Sequence, residues 1–366
     1  MIIRIFGKLY QPDELIHLKQ HAIGLLQDED ERAAVLFLHE WLSGKSVFEQ
    51  QTSGSTGVPK IISLSREQML LSAKLTGDFL NFTKLHTILL PISARYIGGK
   101  MLLVRAILYQ MDIEVVKPST HFLAMINTPH PFQLVSVVPS QLSVVKENKL
   151  AYQALSCFHT VLVGGAGLSS SLNSVLQQMK GAAIWQTYGM TETVSHIALR
   201  KINGENRSEF YHPLPGVELK TDDRNCLCIR ATVTGNKWVT TNDVVEWNDE
   251  KFTLTGRFDE VINSGGVKIS PSKVEEVVEQ VLDEMGLSFP AFAAALPDEK
   301  LGSKLVLVLE GKEVEEGKWK AFKQRIKEAL PPFHAPTQYF FVEKFLWLAS
   351  GKINKISMLQ SFLKDS

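Results

Sequence analysis

The chain has 366 residues, 45% hydrophobic and 21% charged, which is enough for two or three domains with a well-buried core. Its 39 basic and 39 acidic side chains cancel, so no bulk field draws it to nucleic acid or an anionic membrane, and no apolar run reaches transmembrane length. Three cysteines are too few for a disulfide framework; Cys226 and Cys228 share one face of a strand without further metal ligands nearby and read as structural, which fits a reducing cytoplasm.

At the amino terminus Arg4 and Lys8 interrupt a short apolar stretch, which reads as a strand and not as a signal peptide. Residues 13–43 carry two helices. The first has Leu15, Leu18, Ala22, Leu25 and Leu26 on one side; the second runs from Asp30 to Leu42 ahead of Gly44. Strands are expected on either side of 52–60, and Ser65 with Gln68 forms a capping box opening a helix towards Phe82. Short β-rich runs at 86–90, 112–116, 132–138, 159–165 and 182–189 then alternate with helices near 99–110, after Ser119, from Pro139 and from Ser169. This alternation predicts an α/β fold, a sheet covered by helices on both faces. Residues 210–255 hold only short strands and turns, as in a small antiparallel subdomain. A boundary falls at Arg257 to Asp259, dividing the chain into domains 1–257 and 258–366. In the second, Ser270 and Pro271 open a helix to about Met285, followed by a strand pair, a helix (314–329), a strand (337–342) and a terminal helix, a compact α+β unit.

The most informative segment is 52–60, TSGSTGVPK. Gly54 and Gly57 permit turns closed to other residues. Thr52, Ser53, Ser55, Thr56 and the backbone N–H groups offer donors to one small anionic volume, and Lys60 adds a charge. This suits nucleotide phosphates, although the ending of a Walker A loop is absent; a Ser/Gly-rich surface turn is the plain alternative. Gly164, Gly165 and Ala166 follow the apolar strand TVLV, where a ligand can approach the backbone, or where a tight turn simply sits. WQTYGMTET delivers Tyr188, Gly189, Thr191 and Glu192: a ring able to stack on a base and a carboxylate able to hold Mg²⁺, or a solvated loop acid. Asp243, at a strand end, could accept from two ribose hydroxyls or close an Asx turn. GRFDEVINSGGVKISPSKVEE (256–276) is dense in charge and glycine, and Lys352 in SGKINK would ordinarily be a mobile surface charge.

In this order and spacing the segments resemble the adenylate-forming superfamily of acyl- and aryl-CoA synthetases, luciferases and adenylation domains, over roughly residues 50–355. TSGSTGVPK matches its phosphate-binding signature, YGMTET its nucleotide and Mg²⁺ motif, 256–276 its hinge motif and SGKINK its catalytic-lysine motif. The resemblance implies a large α/β domain with a mobile C-terminal domain. It also implies a two-step reaction: a carboxylic acid attacks ATP to give an acyl adenylate and pyrophosphate, and a thiol, usually that of coenzyme A, takes the acyl group. Lys352 would bridge the acid and the α-phosphate, with Thr191 on that phosphate and Glu192 on Mg²⁺. Ser53, Ser55, Thr56 and Lys60 would cradle the outer phosphates, Tyr188 and the Gly164–Ala166 turn would enclose adenine, and Asp243 with Arg257 would fix the ribose. Asp259 would be the hinge that brings Ser264, Gly265 and Gly266 to the thiol. Three departures stand out: fewer residues precede the phosphate loop, Asn242 replaces a usual glycine, and Arg95–Gly99 replaces an aromatic or histidine gate.

The segment 89–108, LLPISARYIGGKMLLVRAIL, is most similar to the o-succinylbenzoate–CoA ligase branch, which serves menaquinone synthesis. There an arginine follows the glycine of the Ser-Gly motif as Arg105 follows Gly99. Tyr96, Gly99, Lys100 and Arg105 are therefore acid-site candidates. A substrate with two carboxylates has one activated, and the other needs a cation when desolvated. The alternative is that Lys100 and Arg105 face solvent or the amino-terminal helices. Another acyl- or aryl-CoA ligase, an enzyme loading a carrier-protein thiol, and a non-catalytic nucleotide binder compete as functions; Glu192, Asp243, Arg257 and Lys352 together argue against the last. The expected partners are the acid, ATP and CoA, with no nucleic acid and no membrane insertion; monomer and homodimer both remain open.

Overall fold

A computed structural model describes residues 1–51, 60–287, 289–346 and 353–364. Thr52 to Gly57 of the phosphate-type loop, and Lys352, lie outside the described residues. The largest element is a nine-stranded sheet. Its strands, from edge to edge, are His212–Pro213, His196–Lys201, Ala183–Gly189, Thr160–Val163, Leu134–Val137, Thr87–Leu90, Asp112–Val115, Ile3–Ile5 and Lys8–Tyr10. The run from Ala183–Gly189 to Ile3–Ile5 is parallel, with two antiparallel pairings on one side and one on the other. Parallel strands are covered on both faces, which explains why TVLV is buried at every position.

Alternation along one strand assigns the two faces. Ile88 and Leu90 point into a core with the helices Glu29–Leu42, Arg66–Leu80 and Ile97–Leu108, while Leu89 between them joins the core under Lys149–Ser156 and Ser170–Gln178. Ser65 opens Arg66–Leu80 with the expected capping box, its Oγ accepting from Gln68 N at 3.1 Å and its N–H donating to Gln68 Oε1 at 3.0 Å. The first amino-terminal helix differs from expectation. It is split into Pro12–His17 and Gln20–Gly24 by an extended Leu18 (ψ 125°), which lets Leu15 and Ile23 both bury while Leu25 is left exposed. The helix after Ser119 is a single turn, Phe122–Met125.

Val47–Gln51 and Ile61–Ser65 form a two-stranded antiparallel ribbon in which Gln51 faces Ile61. A four-stranded antiparallel sheet follows in chain order: Glu218–Thr221, Cys226–Arg230, Val239–Asn248 and Lys251–Arg257. Cys226 and Cys228 are buried in it as free thiols.

Strands from Ile262 onward belong to a separate five-stranded sheet with its own cores. Leu305, Leu307 and Leu309 pack beneath Pro271–Glu284 and Glu316–Ala329, and Val306 and Val308 face Phe345 and Met358 on the other side. Pro271 takes the first helical position as expected, but the Ser270 side chain makes no cap bond; a Cβ on Gly256 would lie 2.8 Å from its Oγ. Among the described residues no helix is long and apolar enough to cross a membrane.

Candidate active site

Several of the singled-out residues meet where strand Ala183–Gly189 ends. The Tyr188 hydroxyl donates to Asp243 Oδ2 at 2.7 Å, and its ring stands edge-on to Phe252 at 5.3 Å. Burial, then the nearby Asp243 carboxylate, push the Tyr188 hydroxyl far above the usual tyrosine range, so it acts as a donor and does not ionise. Asp243 faces Arg257 across the antiparallel pair and accepts its Nη1 at 3.2 Å. The same guanidinium reaches beyond the strand end to Asp259, with Nε on Oδ1 at 3.0 Å and Nη2 on Oδ2 at 2.8 Å. Burial alone would raise the Asp259 carboxyl; the bond and charge of Arg257, helped by the Asn242 amide, hold it below its ordinary value.

Asn242, the departure from glycine, has a structural reason. Its Oδ1 accepts from Arg224 Nη1 at 3.1 Å, its side chain also bonds Asp259, and Arg224 lies over the Phe258 ring at 5.0 Å. A glycine would leave that link between the four-stranded sheet and the Phe258–Glu260 turn unmade.

Gly189 is fixed by crowding: a Cβ there would lie 2.3 Å from Ser195 O and 2.4 Å from His196 Cα. The chain then makes the single turn Thr191–Thr193, which leaves Glu192 exposed and Thr191 half-buried. At the neighbouring strand end, a Cβ on Gly164 would lie 2.5 Å from Thr187 Oγ1, and Gly165 has φ +85°. Gly165 and Ala166 are exposed there. Lys60 is exposed at the start of Ile61–Ser65. Ser264 pairs with Val267 through Gly265 and Gly266, both at positive φ, forming a two-residue hairpin in the C-terminal sheet.

The acid-site candidates do not stay together. Tyr96 is half-buried just ahead of helix Ile97–Leu108, and a Cβ on Gly99 would lie 2.4 Å from Ser93 O. Lys100 turns towards the amino-terminal elements, its Nζ 3.4 Å from Glu49 O, with Glu40 and Lys45 as its charged neighbours. Arg105 turns the other way and is only 2% exposed. Its Nη2 donates to Ser195 Oγ at 2.8 Å and to Thr76 Oγ1 at 3.2 Å, its Nε has no partner, and among the described residues no carboxylate pairs with it. Burial pushes the guanidinium down to about 9, so it remains a cation at neutral pH.

The AMP-binding enzyme family matches residues 28–246, more than half of the chain. This chain belongs to the AMP-binding enzyme family. An AMP-forming acyl-CoA synthetase/AMP-acid ligase II-like protein from Dyadobacter fermentans DSM 18053, of known structure, is 33% identical, over 96% of this chain and 98% of that one, with a TM-score of 0.60. The 2-succinylbenzoate–CoA ligase of Salmonella typhimurium is 26% identical over 92% of this chain and 73% of its own. The o-succinylbenzoate CoA synthetase of Bacillus subtilis, solved with an acyl-adenylate intermediate, shares the fold with a TM-score of 0.69 at 21% identity, over 85% of this chain and 68% of that one. The fold is therefore that of the adenylate-forming enzymes, and the chain is a member of their acid–CoA ligase family.

One contact joins the two groups of sheets. Glu279, on helix Pro271–Glu284, accepts from Ser170 N at 2.9 Å and Ser171 Oγ at 3.0 Å, at the N-terminus of the helix that follows the Gly164–Gly167 turn. Lys146 donates to the same Ser171 Oγ at 2.6 Å. Hydrogen bonds to an ionised group contribute about 1.5–3 kcal/mol each at most, and a helix N-terminus favours a carboxylate. Glu279→Ala is expected to depopulate this arrangement about tenfold, read as a changed distance distribution between fluorophores placed on each side; an unchanged distribution would remove Glu279 from that role.

Sequence reasoning missed Thr76, Ser195, His196 and Glu279. The available signal was a lone arginine in the otherwise apolar MLLVRAIL, whose partners had to come from elsewhere in the chain.

Proposed function

We propose that this chain is an AMP-forming acid–CoA ligase whose acid is o-succinylbenzoate, converted through its acyl adenylate to o-succinylbenzoyl-CoA for menaquinone synthesis in the cytoplasm. The observation that carries the choice of acid is Arg105: a buried cation with an unpartnered Nε and no carboxylate among the described residues. A desolvated charge without a counter-ion costs several kcal/mol, and a second substrate carboxylate would supply the missing anion. A monocarboxylic acid would leave it unpaired. The names of the Salmonella and Bacillus relatives support the same acid.

In this reading residues 1–257 bind nucleotide and acid, and 258–366 form the mobile domain that carries Lys352. Asp243 and Arg257 take the ribose, Tyr188 positions Asp243 beside the adenine enclosed by Gly164, Gly165 and Ala166, and Thr191 meets the α-phosphate. Residues 52–60 hold the outer phosphates. Glu192 fits Mg²⁺: it is an exposed oxygen ligand, and among the described residues there is no cluster of three metal-ligating side chains, so phosphates and water would complete the shell. Magnesium would supply charge neutralisation at the phosphates. The Ser264–Gly266 hairpin, after rotation about Asp259, would line the approach of CoA. Pyrophosphate release and thioester formation should both follow addition of o-succinylbenzoate, ATP, Mg²⁺ and CoA, with kcat/KM at least about a hundredfold above that for benzoate or a medium-chain fatty acid. Equal use of all three acids would sink the proposal.

A further inference from the structure

The cluster around Arg105 has a member that the proposed acid site does not yet use. His196 is 8% exposed, and its Nε2 lies 2.8 Å from Thr76 Oγ1, the same oxygen that accepts Arg105 Nη2 at 3.2 Å. The Thr76 hydroxyl proton has its own acceptor, Ser72 O at 3.1 Å. The Thr76 oxygen therefore accepts from both Arg105 and His196. In that arrangement His196 carries its proton on Nε2 and leaves Nδ1 as the position for another.

We propose that His196, acting through Thr76, is a specificity-determining positioning residue for the second carboxylate of the acid, whose docking on Arg105 draws a proton onto His196. This rests on the reading of Arg105 as the carboxylate partner. Two buried donors on one hydroxyl fix the guanidinium's orientation, and the unpartnered Nε shows that its hydrogen bonding is incomplete. Among the described residues the groups facing the imidazole are few. Helix Ile97–Leu108 presents Arg105, helix Arg66–Leu80 presents the uncharged Thr76, and the opposed strand presents Gly189, which has no side chain. Burial first, and Arg105 second, hold the imidazole neutral in the unliganded protein. A carboxylate on Arg105 offsets the second of these causes and leaves the first, so docking raises the affinity of the imidazole for a proton and the acid is favoured as pH falls.

The test is the ratio of kcat/KM for o-succinylbenzoate to that for benzoate, in which titrations common to both acids cancel. For the wild-type enzyme the ratio should rise as pH is lowered from about 8 to about 6.5, by up to about tenfold per pH unit for one linked proton. A flat ratio overturns the proposal without any variant. His196→Gln keeps an amide donor near Nε2 but cannot titrate; it should flatten the profile and raise the KM for o-succinylbenzoate about tenfold, with kcat little changed. Retention of the wild-type profile by this variant also overturns the proposal. Thr76→Val removes the shared oxygen and should flatten the profile in the same way, which keeps a variant test available if His196→Gln does not melt cooperatively. Arg105→Gln separates the two readings. If it lowers the ratio while His196→Gln does not, only the role of His196 fails; if it leaves the ratio unchanged, the acid-site reading fails.

Discussion

Replacing Lys352 with alanine is expected to lower the rate of adenylate formation about 10²–10³-fold, the loss typical for one transition-state charge partner. Transfer of a supplied acyl adenylate to CoA should continue at close to the wild-type rate. The reasoning is electrostatic: the first step brings a carboxylate against a phosphate, and in the proposed reading the Lys352 ammonium neutralises both and acts only there. Lys355, three residues on, makes a stringent control. Its Nζ is held by Glu275 Oε1 at 2.8 Å, and the backbone beside it is tied by Asn354 N to Leu346 O at 2.7 Å. Lys355→Ala should therefore leave adenylate formation within about a few-fold of wild type, since a committed surface pair contributes little. ATP–pyrophosphate exchange reports the first step, and thioester formation from synthetic adenylate reports the second. Equal loss in both assays for a folded Lys352→Ala protein would end the assignment.

Substitution of Arg105 by methionine should separate activity from stability. Truncating one partner of a buried charge pair costs about 2–5 kcal/mol of binding, so kcat/KM for o-succinylbenzoate should fall about a hundredfold or more. The unliganded protein, by contrast, should melt no lower than wild type. Its Arg105 is a buried cation without a carboxylate among the described residues, and a hydrophobic side chain of similar length removes that cost. The ligand-induced rise in Tm on adding o-succinylbenzoate with ATP should disappear. A large drop in the unliganded Tm would mean that Arg105 serves the core and not the substrate.

How far the sequence could be read follows the distance over which each feature is specified. The capping box of Ser65 and Gln68 and the strand TVLV in a sheet covered on both faces are found as read. The split of the first helix at Leu18 was not legible, because apolar spacing continues through it and only packing against Glu29–Leu42 distinguishes one helix from two. Arg105 was legible as a charge in an apolar helix, but its surroundings were not: Thr76 and His196 are 120 positions apart, and Arg105 and Ser195 are 90 apart. Lys100 and Arg105 read as one pair, yet five residues of helix turn them to opposite sides, one towards Glu49 and the other towards Ser195.

Arg257 donates both to Asp243 in the strand and to Asp259 in the turn beyond it. If Asp243 takes the ribose as proposed, a sugar hydroxyl on it would withdraw part of the negative field that this guanidinium feels, and Asp259 would receive what is released. In the proposed reading, nucleotide binding and the set of the Asp259 turn would thus be linked through a single side chain, and linkage makes the effect reciprocal: whatever holds the turn would alter the grip on the sugar by the same factor.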